Sequence, residues 1–167
     1  MRFKFLCASA FFVLAVASAQ AQAVPTTAGK CSKPDLIQTV PAGDKDGHMF
    51  MIQSGKCTTT SAVNGVKSKE GVFAEHDDAM GTHLRGWGVY VETFESGDKI
   101  FYNYQTTATT KDNAIVTGSN KYQVTGGTGK MKGMKGSGGC TLKGTADGGL
   151  DYSCTGEWVM PSATPTK

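Results

Sequence analysis

From Leu36 onward, apolar and β-branched residues come in short runs or at every second position, and no window carries a long apolar pattern at helical spacing. Clusters of Gly, Asp, Asn and Lys separate the runs. This pattern predicts strands near Leu36–Val40, Met49–Gln53, Gly71–His76, Gly86–Phe94, Lys99–Thr107, Ala114–Thr117, Lys121–Val124, Gly136–Lys143 and Leu150–Val159. Glu95-Ser96-Gly97-Asp98 parts two aromatic, β-branched runs and reads as a hairpin turn. Trp87, Val89 and Val91 share one face of their strand with Tyr90 on the other, and Ile100, Tyr102 and Tyr104 lie opposite Phe101, Asn103 and Gln105. The expectation is an all-β fold: a single antiparallel barrel of about eight strands, with a two-layer sandwich as the alternative.

The two ends differ from this pattern. Arg2 and Lys4 precede an apolar stretch from Phe5 to Val16, and small residues follow through Ala23, the order of a secretion signal. Residues 1–23 are therefore expected to be removed, with the mature start near Gln22 or Val24. The apolar stretch is too short for a bilayer of about 30 Å, and Cys7 falls too early for a lipoprotein. Val24–Lys30 reads as a flexible lead-in, residues 24–160 as the barrel domain, and Pro161–Lys167 as a disordered tail. Export to the periplasm or outside the cell follows, with no membrane span in the mature chain.

Charge and cysteine sharpen this picture. Losing Arg2 and Lys4 reduces the 17 basic residues to 15 against 14 acidic ones, so nothing argues for nucleic acid as a partner. Cys31, Cys57, Cys140 and Cys154 remain, an even number in an exported chain, which favours disulfides. Cys140 and Cys154 flank the turn Ala146-Asp147-Gly148-Gly149, so a hairpin would set them opposite each other and leave Cys31 to join Cys57. A zinc site lacks any C-x-x-C pair, and neither a metal nor a cofactor is expected.

The most distinctive stretch is Tyr122 to Gly139, containing Gly126-Gly127-Thr128-Gly129-Lys130-Met131 and then Gly133 and Gly136. It resembles the G-G-T-G-K-[FM]-x-G-x-x-G segment of the allene-oxide-cyclase and dirigent barrel superfamily, which includes small secreted bacterial proteins of unknown activity. Gly97-Asp98-Lys99-Ile100-Phe101-Tyr102 resembles a hairpin of the same barrels, and the matching pieces cover about a third of the mature chain. The resemblance implies an eight-stranded barrel around a largely apolar cavity; plant members guide reactive intermediates to one stereochemical product. It implies no catalytic residue here. The stretch is not a P-loop, because Val124 and Met131 stand where Gly and Ser or Thr are needed.

Residues with chemical potential gather in Glu75-His76-Asp77-Asp78, His83 and Arg85. Two histidines and several carboxylates can make an acid–base pair, although Asp77 to Gly81 reads as a solvated loop at a strand end. His76, Glu75 and Glu92 are the candidate catalytic residues. Trp87, Tyr90, Tyr102 and Tyr104 are the candidate ligand-binding residues, because small barrels either fill their interior or hold one small ligand. His48 reads as a strand-edge residue, and Lys130, Lys132 and Lys135 as solvated edge charges. No G-x-S-x-G elbow supports a hydrolase. Three functions are expected in turn: noncatalytic binding of a small, mostly apolar molecule; a cyclase, isomerase or stereochemical guide; and a structural protein forming homo-oligomers through its aromatic faces.

Overall fold

The computed structural model describes residues 22–160 apart from 64 and 113. The strands are β1 (Gln22–Cys31), β2 (Leu36–Pro41), β3 (His48–Thr59), β4 (Ala62–Val63), β5 (Val66–Met80), β6 (His83–Phe94), β7 (Lys99–Lys111), β8 (Ala114–Gly127), β9 (Lys135–Gly144) and β10 (Leu150–Val159). All pair antiparallel, and β3 bonds to both β1 and β5. Eight strands thereby close a ring in the order β3-β1-β10-β9-β8-β7-β6-β5. The fold is the expected disulfide-linked antiparallel barrel, and ring closure removes the sandwich alternative.

Three local expectations are corrected. Val24–Lys30 is not a lead-in but the middle of β1, which pairs with β10 from Gln22↔Trp158 to Cys31↔Leu150. Ala114–Thr117 and Lys121–Val124 belong to one strand, β8, because Gly118 and Ser119 stay in register with Ala108 and Thr107 of β7. Asp77 to Met80 is strand rather than loop: the β5–β6 ladder continues to Met80↔His83 and turns only at Gly81, whose φ of 59° suits glycine. The expected leader and tail otherwise lie outside the described residues.

The two disulfides join directly opposed residues, Cys31 with Cys57 across β1 and β3, and Cys140 with Cys154 across β9 and β10. They fit an oxidising compartment. Among the described residues no helix is long and apolar enough to cross a membrane.

The ends of the ring are unlike. At one end Val63, Phe94, Ile100, Tyr102, Val124, Met131 and Met134 form a buried cluster. Met131 ends a single 3-10 turn, Gly129–Met131, that follows β8. Burying each such side chain contributes about 1.5–3 kcal/mol, and the glycine-rich segment supplies Met131 and Met134 to this cluster. At the other end lie the turns between β2 and β3, β5 and β6, β7 and β8, and β9 and β10. There, among the described residues, β2 pairs only with β3, and all six of its residues are exposed. His48 braces this rim: its Nδ1 meets Asp44 Oδ1 at 2.5 Å and its Nε2 meets Asp78 Oδ1 at 2.9 Å.

Candidate functional site

Strand alternation sends Phe73, Glu75 and Asp77 of β5 to the inside of the ring, with Leu84, Tyr90 and Glu92 of β6. β7 adds Tyr102, Tyr104 and Thr106; β8 adds Ile115, Asn120 and Tyr122; β9 and β10 add Leu142, Tyr152 and Trp158. These residues, Asp77 apart, enclose a cavity of about 550 Å³, within the size range of small-molecule sites. It reaches the rim at Lys33, Pro34, Ile37, Asp112 and Gly148, on the side where β2 pairs with β3. Both disulfides lie in its wall.

All five tyrosines of the chain line this cavity. Four of them lie over glycines that replace a side chain with open space. Tyr90 covers Gly71, Tyr104 covers Gly88, Tyr152 covers Gly29, and Tyr122 covers Gly138 and Gly156. A Cβ at any of these glycines would fall inside contact distance of the ring above it. Large rings can therefore lie along the wall and leave the centre open, whereas uniformly medium-sized residues would fill it.

Two polar stations interrupt the apolar wall. In the first, Gln53 Nε2 donates to Glu75 Oε1 and to Asp77 Oδ2, both at 2.8 Å. The Tyr104 hydroxyl nearby favours the ionised Glu75. Burial first, and then the Asp77 charge beside it, push the Glu75 carboxyl up to about 7. Burial likewise pushes Asp77 up to about 6, opposed by the Gln53 bond. Asp77 is 2% exposed, and its Oδ1 finds no hydrogen-bond partner among the described residues. In the second station Tyr102 Oη donates to Glu92 Oε2 at 2.8 Å and Ser61 Oγ donates to Oε1. Glu92 sits four residues along β6 from Gly88, the partner of Glu75, so the stations are about 13 Å apart along the strand. Burial raises the Tyr90, Tyr102 and Tyr104 phenols well above their ordinary value, so they remain donors at neutral pH.

Of the sequence candidates, Glu75, Glu92, Tyr90, Tyr102 and Tyr104 meet in this cavity. His76 and Trp87 do not. They stack on the outer wall with ring centroids 5.6 Å apart, because even-numbered β5 residues and odd-numbered β6 residues face outward. The polar run Glu75-His76-Asp77-Asp78 is thus divided between two faces, and His76 is removed as a base acting inside the cavity. His83 and Arg85 are likewise exposed on the outer face. Nothing in the sequence pattern singled out Gln53 or Tyr152, or the inward position of Asp77. The two-residue spacing of Glu75 and Asp77 was the available signal. Among the described residues, no group of three His, Cys, Asp or Glu side chains is arranged to hold a metal ion.

No family model and no curated protein matches the chain. Among solved structures, that of the pterocarpan synthase dirigent protein is similar, with a TM-score of 0.51 at 11% identity over 91% of this chain and 92% of that one. At this identity the likeness shows a dirigent-like barrel fold and nothing of the chemistry.

Proposed function

We propose that this is an exported barrel that binds one small, mostly apolar molecule in its central cavity. The observation that carries the reading is the cavity itself: about 550 Å³ left open behind a plugged end, with tyrosines laid flat over glycines. A barrel built only for stability would fill that space, since each empty site forfeits packing energy. The carboxyls of Glu75 and Glu92 supply orientation within a wall that is mostly apolar but also carries Gln53, Thr106 and Asn120. The leader-like residues 1–23 and the two disulfides support export.

Displacement of an environment-sensitive dye by a panel of small lipophilic molecules tests this reading. Thr39 of β2 lines the cavity near the rim on an exposed strand, so Thr39→Trp should obstruct entry while leaving the fold intact. Saturable one-to-one binding that Thr39→Trp slows or abolishes is expected. Binding of the whole panel unchanged by Thr39→Trp would place it on the outer surface and refute the reading.

One observation favours a second, catalytic reading. A carboxyl held near 7 inside a cavity is half-protonated at neutral pH and suited to transfer a proton to a bound substrate. The dirigent protein of similar fold is named a synthase, which makes a cyclisation or isomerisation the natural class to test. Incubation with metabolite extracts would show a compound consumed by the wild type and spared by Glu75→Gln. No such compound would remove this reading.

A further inference from the structure

Resting on the reading of the cavity as a ligand site, we infer that its occupant is an organic amine. It binds as the ammonium, with nitrogen against Glu75 and hydrocarbon among the tyrosines. Three features of the cavity point the same way.

The first is charge. Glu75 and Glu92 line the interior of the cavity, with Asp77 beside Glu75 and sharing Gln53, while Asp112 stands at the rim. Among the described lining residues Lys33 is the one basic side chain, and it stands in the rim loop beside Gly148, away from the carboxyl pair. Two buried carboxyls share one glutamine, and the charge that favours the ionised Asp77, that of His76, stands on the outer wall, so among the described residues no cation meets the pair inside the cavity. Such groups are costly unless protonated or paired with a cation. An anionic ligand would meet only repulsion there.

The second is hydrogen-bonding capacity. Asp77 Oδ1, beside Glu75, is a buried acceptor with no donor among the described residues, whereas the nearby donor Gln53 is already engaged. Trp158 Nε1 is an unpartnered donor, but it belongs to the plugged end. Around Glu75 the deficit is one of donors. An ammonium brings three donors and no acceptor, so it answers that deficit without creating a new one. A ketone or ether would not.

The third is the aromatic wall. Tyr90 and Tyr102 are tilted with centroids 5.8 Å apart, and Tyr102 and Tyr122 meet edge to face at 5.7 Å. These rings lie toward the Glu92 end of the cavity and offer an apolar wall to the hydrocarbon of an amine whose nitrogen lies at Glu75. The groups facing Glu75 are Gln53 from β3, Asp77 from its own strand and Tyr104 from β7. Only Asp77 among them titrates near neutrality, so the ammonium would bind best once the pair has lost a proton.

The test compares 4-phenylbutylamine with its neutral counterpart, 4-phenylbutan-1-ol, by calorimetric titration of the mature, disulfide-intact protein at pH 5 and pH 8. The expected result is that the amine binds about tenfold or more tightly than the alcohol at pH 8. That preference should shrink at pH 5 while the alcohol's affinity stays constant. Glu75→Gln should remove the preference at pH 8 and keep alcohol binding, and the wild-type pH comparison stands even if this variant folds poorly. Equal affinities at pH 8, or an amine preference that survives at pH 5 and in Glu75→Gln, would overturn the amine assignment and leave the ligand site standing. Binding of neither probe, with no uptake from the lipophilic panel, would overturn both.

Discussion

Replacing Glu75 with glutamine should make the empty protein more stable at pH 8, and by only about a quarter as much at pH 5. The folded-state carboxyl is raised from 4.5 to about 7, chiefly by burial. The folded protein therefore holds a proton that the unfolded chain releases, and stability falls as pH rises between those two values. At 1.36 kcal/mol per unit, the full difference is on the order of 3 kcal/mol by pH 8. Asp77 adds to the same slope, since burial raises it from 3.8 to about 6. Glutamine keeps the shape of Glu75 and has no charge to desolvate. For a chain of this size each kcal/mol moves the melting midpoint by about 2–4 °C. Urea and thermal unfolding of wild type and Glu75→Gln, followed by tryptophan fluorescence from pH 5 to 8.5 without reductant, measure the effect. Wild-type stability that is flat or rises across this range, together with no gain from Glu75→Gln at pH 8, would refute the reasoning. Measuring both proteins in a His48→Gln background isolates the carboxyl pair from the other group expected to titrate nearby.

His48 has its own signature. Its bonds to Asp44 and Asp78 raise its pKa above 6.5, so the stabilisation is present below that value and disappears as pH rises through the folded one. Hydrogen exchange in the β2–β3 turn should quicken at high pH, and His48→Gln should give the fast rate throughout. Gly71→Ala should destabilise by about 2 kcal/mol, because its Cβ would meet the Tyr90 hydroxyl. Adding Tyr90→Phe should return part of that loss in a urea-denaturation cycle. Cysteine-to-serine pairs should cost about 3 kcal/mol at Cys140 and Cys154, 14 residues apart, and about 3.5 kcal/mol at Cys31 and Cys57, 26 apart. Equal urea midpoints for the two pairs and wild type would contradict this chain-entropy reasoning.

Alternation, turn chemistry and cysteine placement made the barrel and both disulfides legible before any coordinates. Glu95-Ser96-Gly97-Asp98 closes the β6–β7 hairpin as its composition suggests, and Cys140 faces Cys154 across the turn that follows β9. β1 was hidden because Pro25, Gly29 and two threonines carry a weak strand signal; its pairing is imposed by β10 and by the Cys31–Cys57 bond.

The candidate site was legible by residue type but not by direction. In β6 the more apolar set, Trp87, Val89 and Val91, faces outward, while Gly88, Tyr90 and Glu92 face in. The rule that the apolar face seeks the core fails here because the interior holds a cavity rather than a packed core. Gln53 escaped notice because a lone amide in an apolar strand has no motif. Only the pairing Gln53↔Glu75 brings it to the carboxyls.

Native mass spectrometry of the mature protein, purified from its own source, tests the central claim most directly. The account predicts a chain lower in mass by two disulfides' worth of hydrogen and carrying one small organic molecule that is lost on denaturation. A bare chain that also takes up neither 4-phenylbutylamine nor 4-phenylbutan-1-ol would contradict it.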